Sequence, residues 1–283
     1  MDIFSNLMAI GECLLDSPRT QAFKRAIDDT VRTGDTVMDV GTGSGILAMF
    51  SARAGAHRVR AIEITPEIAL FARQNVAHNG LGSIVKVEQQ DATTLAGSQP
   101  VDVVTMELMD TWLVAEQQAA VMNQLHASGI IGSRTRIIPK RYQCLIRLVN
   151  YDFSFYGFQL PFVIQARNYM AQDHIRHQLS AASIVHDMAF HKQQSLRVDK
   201  QIEVPIEKDG QCNAAVLTAR VFLTDDVHLG ATSDLNMPVI VPLEHRRVRR
   251  GDHLSLDIAY EMGAGFGDFS MHWAAQRMAR MTG

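Results

Sequence analysis

Two acidic residues, Glu107 and Glu116, stand nine positions apart in the stretch MELMDTWLVAE. The first closes an apolar run, Val101 to Met106, and the second falls near the start of a helical pattern. A loop of that length can fold back and bring both carboxylates to one small space. Two facing carboxylates repel, and one pKa rises unless a cation lies between them. A planar guanidinium is a natural guest, because it offers paired N–H donors and stays protonated in water. The plainer alternative is a strand-end acid at Glu107 and a helix-start acid at Glu116, favoured there by the helix dipole.

A second group lies earlier. In VMDVGTGSG, Val37 to Gly45, an apolar run carrying Asp39 enters Gly41, Gly43 and Gly45, and ILAMFSARAG then reads as a helix. A strand that ends in a Gly-rich turn and opens a helix presents free N–H groups and a positive dipole end. Glycine also lets a ligand approach where a Cβ would collide. The pattern points to a nucleotide-type cofactor, though a dinucleotide loop would read G-x-G-x-x-G. Glu63 closes the next strand, 18 residues past Gly45. An acid there can accept both ribose hydroxyls of a nucleoside; the alternative is a solvated strand-end acid. Asp91, after the third strand, can accept from an adenine amino group or simply form a turn. Asp39 is grouped with these residues on the cofactor side.

These residues need elements to hold them. Residues 1–33 read as helical, with a start signal at Asp16-Ser17-Pro18. From residue 36 to about 131 strand and helix patterns alternate, which predicts a Rossmann-like parallel sheet, α/β in class, with helices on both faces. Gly41, Glu63, Asp91 and Glu107 all fall at or just past strand ends, on one rim. After Ile137-Ile138-Pro139 period-two stretches take over, as in AAVLTARVFL and HLSLDIAY. We therefore expect a first domain over 1–139 and an antiparallel β-barrel-like domain over 140–283, with a helical or irregular insertion at about 159–185. His245 to Arg250 reads as a solvated basic strand edge. His272-Trp273 reads as an end-strand pair, and the aromatics from Tyr151 to Phe158 read as domain-packing core.

Composition narrows the class. Apolar residues make up 47% of the 283 and charged residues 20%, an ordinary globular balance. A net charge of −3 gives no reason to expect nucleic acid or an anionic membrane as partner. Three scattered cysteines have no metal-type spacing and suit a reducing compartment. The first 16 residues carry an early acid and no basic region, unlike a signal peptide, and no apolar run is long enough to span a membrane. A cytoplasmic protein is expected.

LLDSPRT, MDVGTGSGILAMFSARAGA, AIE, MELMDTWLVAE and IIP occur here in the order and near the spacing of the protein arginine N-methyltransferases, and the chain resembles that family over residues 14–139. Beyond that the similarity is architectural. The resemblance implies S-adenosyl-L-methionine as cofactor. Arg19 would pair with its methionine carboxylate, Gly41, Gly43 and Gly45 would form the backbone cradle, Glu63 would bind the ribose, and Asp91 would lie near the adenine. Glu107 and Glu116 would clamp a guanidinium. It also implies a ring-like homodimer formed through an arm, for which residues 159–185 are the candidate. The chain departs from the family in three places. The N-terminal segment has Phe4 but no tyrosine. Asp110 stands where a glycine is usual. Ser233-Asp234-Leu235 replaces a Thr-His-Trp loop, so the histidine that would pair with Asp16 is missing. A protein arginine is thus one acceptor; a small molecule such as free arginine, or a silent partner role, is the alternative.

Overall fold

The computed structural model describes residues 7–97, 99–165 and 173–275. Helices α1 (Leu7–Leu15) and α2 (Ser17–Thr30) come first. Asp16 separates them. Its carboxylate accepts from the Arg19 amide at 3.2 Å, and Pro18 sits in the first turn, where its missing N–H is harmless. Phe23, Ala26 and Ile27 give α2 one buried face.

Then follow β1 (Thr36–Val40), α3 (Ile46–Arg53), β2 (Arg58–Glu63), α4 (Pro66–His78), β3 (Val85–Gln89), β4 (Val103–Met106), α5 (Gln118–Ala127) and β5 (Arg136–Ile138). The five strands are all parallel, in the order β3-β2-β1-β4-β5. β4 (VVTM) is buried at every position, because central parallel strands are covered on both faces. The strand order reverses between β1 and β4. Beyond the carboxyl ends of those two strands the flanking connections diverge and leave a crevice, the usual ligand position in such sheets. The expected α/β class is the one observed.

The pairing turns antiparallel with β6 (Arg141–Tyr151). After it come β7 (Ser154–Phe155), β8 (Phe158–Gln159), β9 (Ile164–Gln165), β10 (Ile175–Gln178), β11 (Ser183–Ala189), β12 (Arg197–Pro205), β13 (Gly210–Phe222), β14 (His228–Leu229), β15 (Val239–Val248), β16 (His253–Glu261) and β17 (Ser270–Trp273). β13 is the centre of the larger sheet. It pairs with β6 from Ala214↔Val149 to Phe222↔Arg141 and with β15 on its other edge. β16 pairs with β12 and β17. Inward residues of β16, Leu254, Leu256, Ile258 and Tyr260, alternate with more exposed neighbours and pack into the same core as Leu217, Val221 and Leu243. The result is the β-barrel-like second part.

Two expectations need adjustment or placement. Tyr151 and Phe153 are buried, but Tyr156 and Phe158 are 99% and 68% exposed. They sit on the short β7–β8 hairpin, where Tyr156 takes the left-handed turn position at φ 53. The segment 159–185, expected to be helical or irregular, instead carries the end of β8, the short strands β9 and β10 and the start of β11 among its described residues; residues 166–172 lie outside the described residues, as does Phe4. His272-Trp273 does lie on the terminal strand β17, where the Trp273 indole donates to the Glu244 carbonyl at 2.8 Å and Arg246 stacks on its ring.

Candidate active site

A cavity of about 290 Å³ opens beyond the carboxyl ends of β1, β2 and β4. Its walls come from α1 and α2, the Gly loop, the ends of β2 and β3, the loop after β4, and the barrel residues Gln165, Asp234, Asn236 and Met237. Among the described lining residues six are acidic (Glu63, Asp91, Glu107, Asp110, Glu116 and Asp234) and one, Arg19, is basic. Such a cavity favours a cationic guest.

The Gly loop is held open by geometry that only glycine takes easily. Gly41, Gly43 and Gly45 have φ of 69°, 53° and 85°. A Cβ on Gly41 would stand 2.4 Å from Leu108 Cδ2, so the loop and the segment after β4 could not lie this close. Gly41 and Gly43 line the cavity, whereas Gly45 caps the start of α3 behind it. Glu63 is 6% exposed, and its two oxygens accept from the amides of Gly43 and Thr65, each at 3.0 Å. Each oxygen retains a lone pair for a ligand hydroxyl. Asp91 lines the same wall, and its Oδ1 accepts from the amide and hydroxyl of Thr93 at 2.8 and 2.7 Å, so it also forms the turn that was its alternative reading. Asp39, grouped with the cofactor residues on sequence, is not on the cavity wall. It is 1% exposed under the loop and accepts from Thr42 Oγ1 at 2.6 Å and Thr105 Oγ1 at 2.7 Å. Burial pushes its carboxyl up to about 6, against the pull of those two hydroxyls. It ties the loop to β4 from behind.

Glu107 and Glu116 line one cavity, as the nine-residue spacing allowed. Asp110 is what folds the loop back. Its buried carboxylate accepts from the amides of Ala115 and Glu116 at 3.0 and 3.1 Å. Burial raises Asp110 to about 6, partly offset by those amides. On sequence Asp110 looked like a departure; an acid five and six residues ahead of two turn amides is the signal that would have identified it. Trp112 anchors the same loop to the barrel. Fully buried, it donates from Nε1 to the carbonyls of Thr218 and Leu145 at 2.9 and 3.2 Å, and from its amide to Tyr142 Oη at 3.0 Å. Trp112 and Leu113 both take left-handed φ, 67° and 55°. Non-glycine residues there cost roughly 1–3 kcal/mol each, so the surroundings must hold them.

Arg19 reaches into the cavity from α2. Its Nη2 pairs with Glu107, its Nη1 donates to the Cys13 carbonyl at 3.1 Å, and its buried Nε has no partner. A guanidinium therefore already sits on one member of the acidic pair. The Asp16 partner missing on sequence is supplied differently: Thr232 Oγ1 and the Asp234 amide, the latter at 3.1 Å, donate to Asp16 Oδ2. Burial raises the Cys13 thiol, Arg19 pulls it back, and Asp234, Glu116 and Asp16 push it further up.

Comparisons with known proteins bear on the fold and the reaction class. The family description for ribosomal protein L11 methyltransferase matches residues 16–151. An uncharacterized protein of Methanocaldococcus jannaschii is 34% identical over 251 residues, 88% of this chain and 90% of that one. An arginine N(omega)-methyltransferase of Streptomyces achromogenes is 37% identical over 107 residues, which span 36% of this chain and 30% of that enzyme. Among solved structures, the Trypanosoma brucei PRMT1 enzyme–prozyme heterotetrameric complex with AdoHcy superposes with a TM-score of 0.71 at 17% identity, over 87% of this chain and 85% of that one. The matches to methyltransferase sequences, together with the fold, identify an S-adenosylmethionine-dependent methyltransferase with the build of the protein arginine methyltransferases. Within that class, the chain belongs to the same family as the M. jannaschii protein.

Proposed function

We propose that this protein methylates a guanidinium nitrogen held between Glu107 and Glu116. The observation that carries the reading is the Arg19–Glu107 ion pair inside a cavity of six acids and one base: the pocket accepts a guanidinium on the carboxylate in question. The residues fit the cofactor. Gly41 and Gly43 leave room at the backbone, Glu63 suits ribose hydroxyls, Asp91 suits the adenine side, and Arg19 suits a carboxylate. Bound there, S-adenosylmethionine supplies an electrophilic methyl group on a sulfonium sulfur. Glu107 and Glu116 hold the guanidinium by its N–H groups and turn one nitrogen toward the Gly-loop rim. Their charge concentrates lone-pair density on that nitrogen, and one carboxylate takes the proton it sheds. Alignment and charge placement are the main tasks, because a free guanidinium is a poor nucleophile.

The acceptor is a protein arginine or free arginine. The first is supported by the fold and by the paired glutamates, the second by the Streptomyces relative and by Asp234 in place of a Thr-His-Trp loop. Incubation with methyl-labelled cofactor and a cell lysate separates them. Label in macromolecular protein is expected for the first, and label only in the small-molecule fraction replaces it with the second. No label in either fraction overturns both.

We also infer a homodimer that works in a reducing compartment such as the cytoplasm. Exposed Tyr156, Phe158 and Phe162 around the candidate arm support the dimer, and three free thiols suit the compartment. Light scattering at micromolar protein should give a dimer mass; a monomer mass overturns the assignment.

A further inference from the structure

Asn236 lies in the loop before β15 and belongs to none of the roles assigned so far. It lines the cavity, is 3% exposed, and takes φ 52, a left-handed conformation that asparagine tolerates better than most residues. One end of its amide lies 2.8 Å from Tyr142 Oη, and the other end, buried, meets no partner. Tyr142 in turn touches the loop after β4. It receives the Trp112 amide at 3.0 Å and lies 2.8 Å from the Asp110 carbonyl. Asp110 holds the Glu116 amide, so Asn236, Tyr142, Asp110 and Glu116 form one hydrogen-bonded series.

A proton count decides which end of the amide faces which way. A tyrosine hydroxyl has one hydrogen and two lone pairs. With Oδ1 turned to Tyr142, two acceptors, Oδ1 and the Asp110 carbonyl, compete for that one hydrogen, and Nδ2 is left buried without a partner. Turning the amide by a half rotation resolves the conflict. Nδ2 then donates to Tyr142, the hydroxyl donates to Asp110, and the second lone pair still receives Trp112. The amide orientation of an asparagine is assigned from such a network. The end left over is an oxygen.

We propose that Asn236 offers Oδ1 to the cavity and accepts a hydrogen bond from the substrate guanidinium, alongside Glu107 and Glu116. The proposal rests on the guanidinium reading above. A singly substituted guanidinium has five N–H donors, and two carboxylates in paired contacts take four. A neutral oxygen takes the remaining donor without adding a third negative charge, which would hold the departing proton more tightly on the nitrogen. Asn236 is thus a substrate-binding residue, and Tyr142 positions it.

The test uses the full chain, with free arginine and the tripeptide Gly-Arg-Gly as probes. Asn236→Gly keeps the left-handed backbone and removes the oxygen. Asn236→Asp keeps an oxygen on the cavity side. For whichever probe the wild-type protein methylates, Asn236→Gly should raise KM about tenfold, the effect of one lost hydrogen bond to a charged group. Its kcat should stay within a few-fold, and S-adenosylhomocysteine should bind unchanged by calorimetry. Asn236→Asp should bring KM back toward the wild-type value while lowering kcat, because its added negative charge holds the departing proton more tightly. A wild-type KM in Asn236→Gly overturns the assignment. Equal impairment of both variants also overturns it, because a purely structural role would not be rescued by aspartate. If the wild-type protein methylates neither probe, the guanidinium reading itself falls, and this assignment with it.

Discussion

Glu107→Gln is expected to lower turnover by about 100- to 1000-fold while cofactor still binds, the usual cost of removing one preorganised charge from a reacting centre. The substitution keeps the shape of the side chain. It removes the negative charge and turns one acceptor oxygen into a donor that opposes guanidinium N–H groups. Arg19, now paired with Glu107, loses its ionic partner but stays tethered to the Cys13 carbonyl at 3.1 Å, so it remains available to a ligand carboxylate. Affinity for S-adenosylhomocysteine should therefore stay within a few-fold of wild type or tighten. Single-turnover rates with methyl-labelled cofactor, together with calorimetric titration, read both halves. Turnover near the wild-type rate would remove the carboxylate clamp from the account.

Asp110→Ala should have the second largest effect and should combine a kinetic with a stability signature. The carboxylate accepts the Ala115 and Glu116 amides at 3.0 and 3.1 Å and so fixes the turn that carries Glu116. Leaving two amides without it costs roughly 1–3 kcal/mol of stability. Displacing Glu116 by about 1 Å costs on the order of 100-fold in turnover. The pH dependence has a definite sign. Asp110 is raised to about 6 in the folded protein from its ordinary value of 3.8. Between these values the folded state binds the extra proton, so the contribution of this group to stability is greatest below the unfolded pKa and is lost as pH rises through about 6. The alanine variant lacks that slope. Thermal unfolding from pH 4 to 7.5 should show the gap between wild type and variant narrowing as pH increases. A gap that widens with pH would mean that the carboxylate is stabilised as an anion, contrary to its burial.

The parallel sheet and its ligand edge were legible because the signals are local. A glycine loop after a buried strand, an acid at the next strand end and helix stops at Gly55 and Gly80 are each set by neighbouring residues. The antiparallel part was legible as a period-two pattern, but its pairing was not, since β6 meets β13 more than 60 positions away. The candidate site divided along the same line. Glu63, Glu107 and Glu116 could be picked out from their places along the chain, and they share one cavity. Asp39 is in register with Ala61 and Thr105, two residues short of Glu63 and Glu107, and that depth along the strand put it under the loop, where the hydroxyls of Thr42 and Thr105 hold it. Asp110 read as a departure because its value lies in two amides five and six residues on. Asn236 gave no signal, because its importance depends on a tyrosine 94 positions earlier.

The Trp112 indole is fastened to two strands of the second part, at Leu145 on β6 and Thr218 on β13. The short loop bearing the glutamates is thereby built on foundations that belong to a different fold from the one that supplies it. Modularity fails at this point. The β-barrel-like part helps hold the candidate site rigid, and a graft of the parallel-sheet part alone onto another second domain would carry the glutamates but not their anchorage. A working chimera would have to exchange residues 107–117 together with the barrel strands that grip the indole. Evolution of the acceptor wall faces the same constraint: new residues can enter at Asp234 or Met237, on the loop before β15, while the strands that hold Trp112 stay as they are.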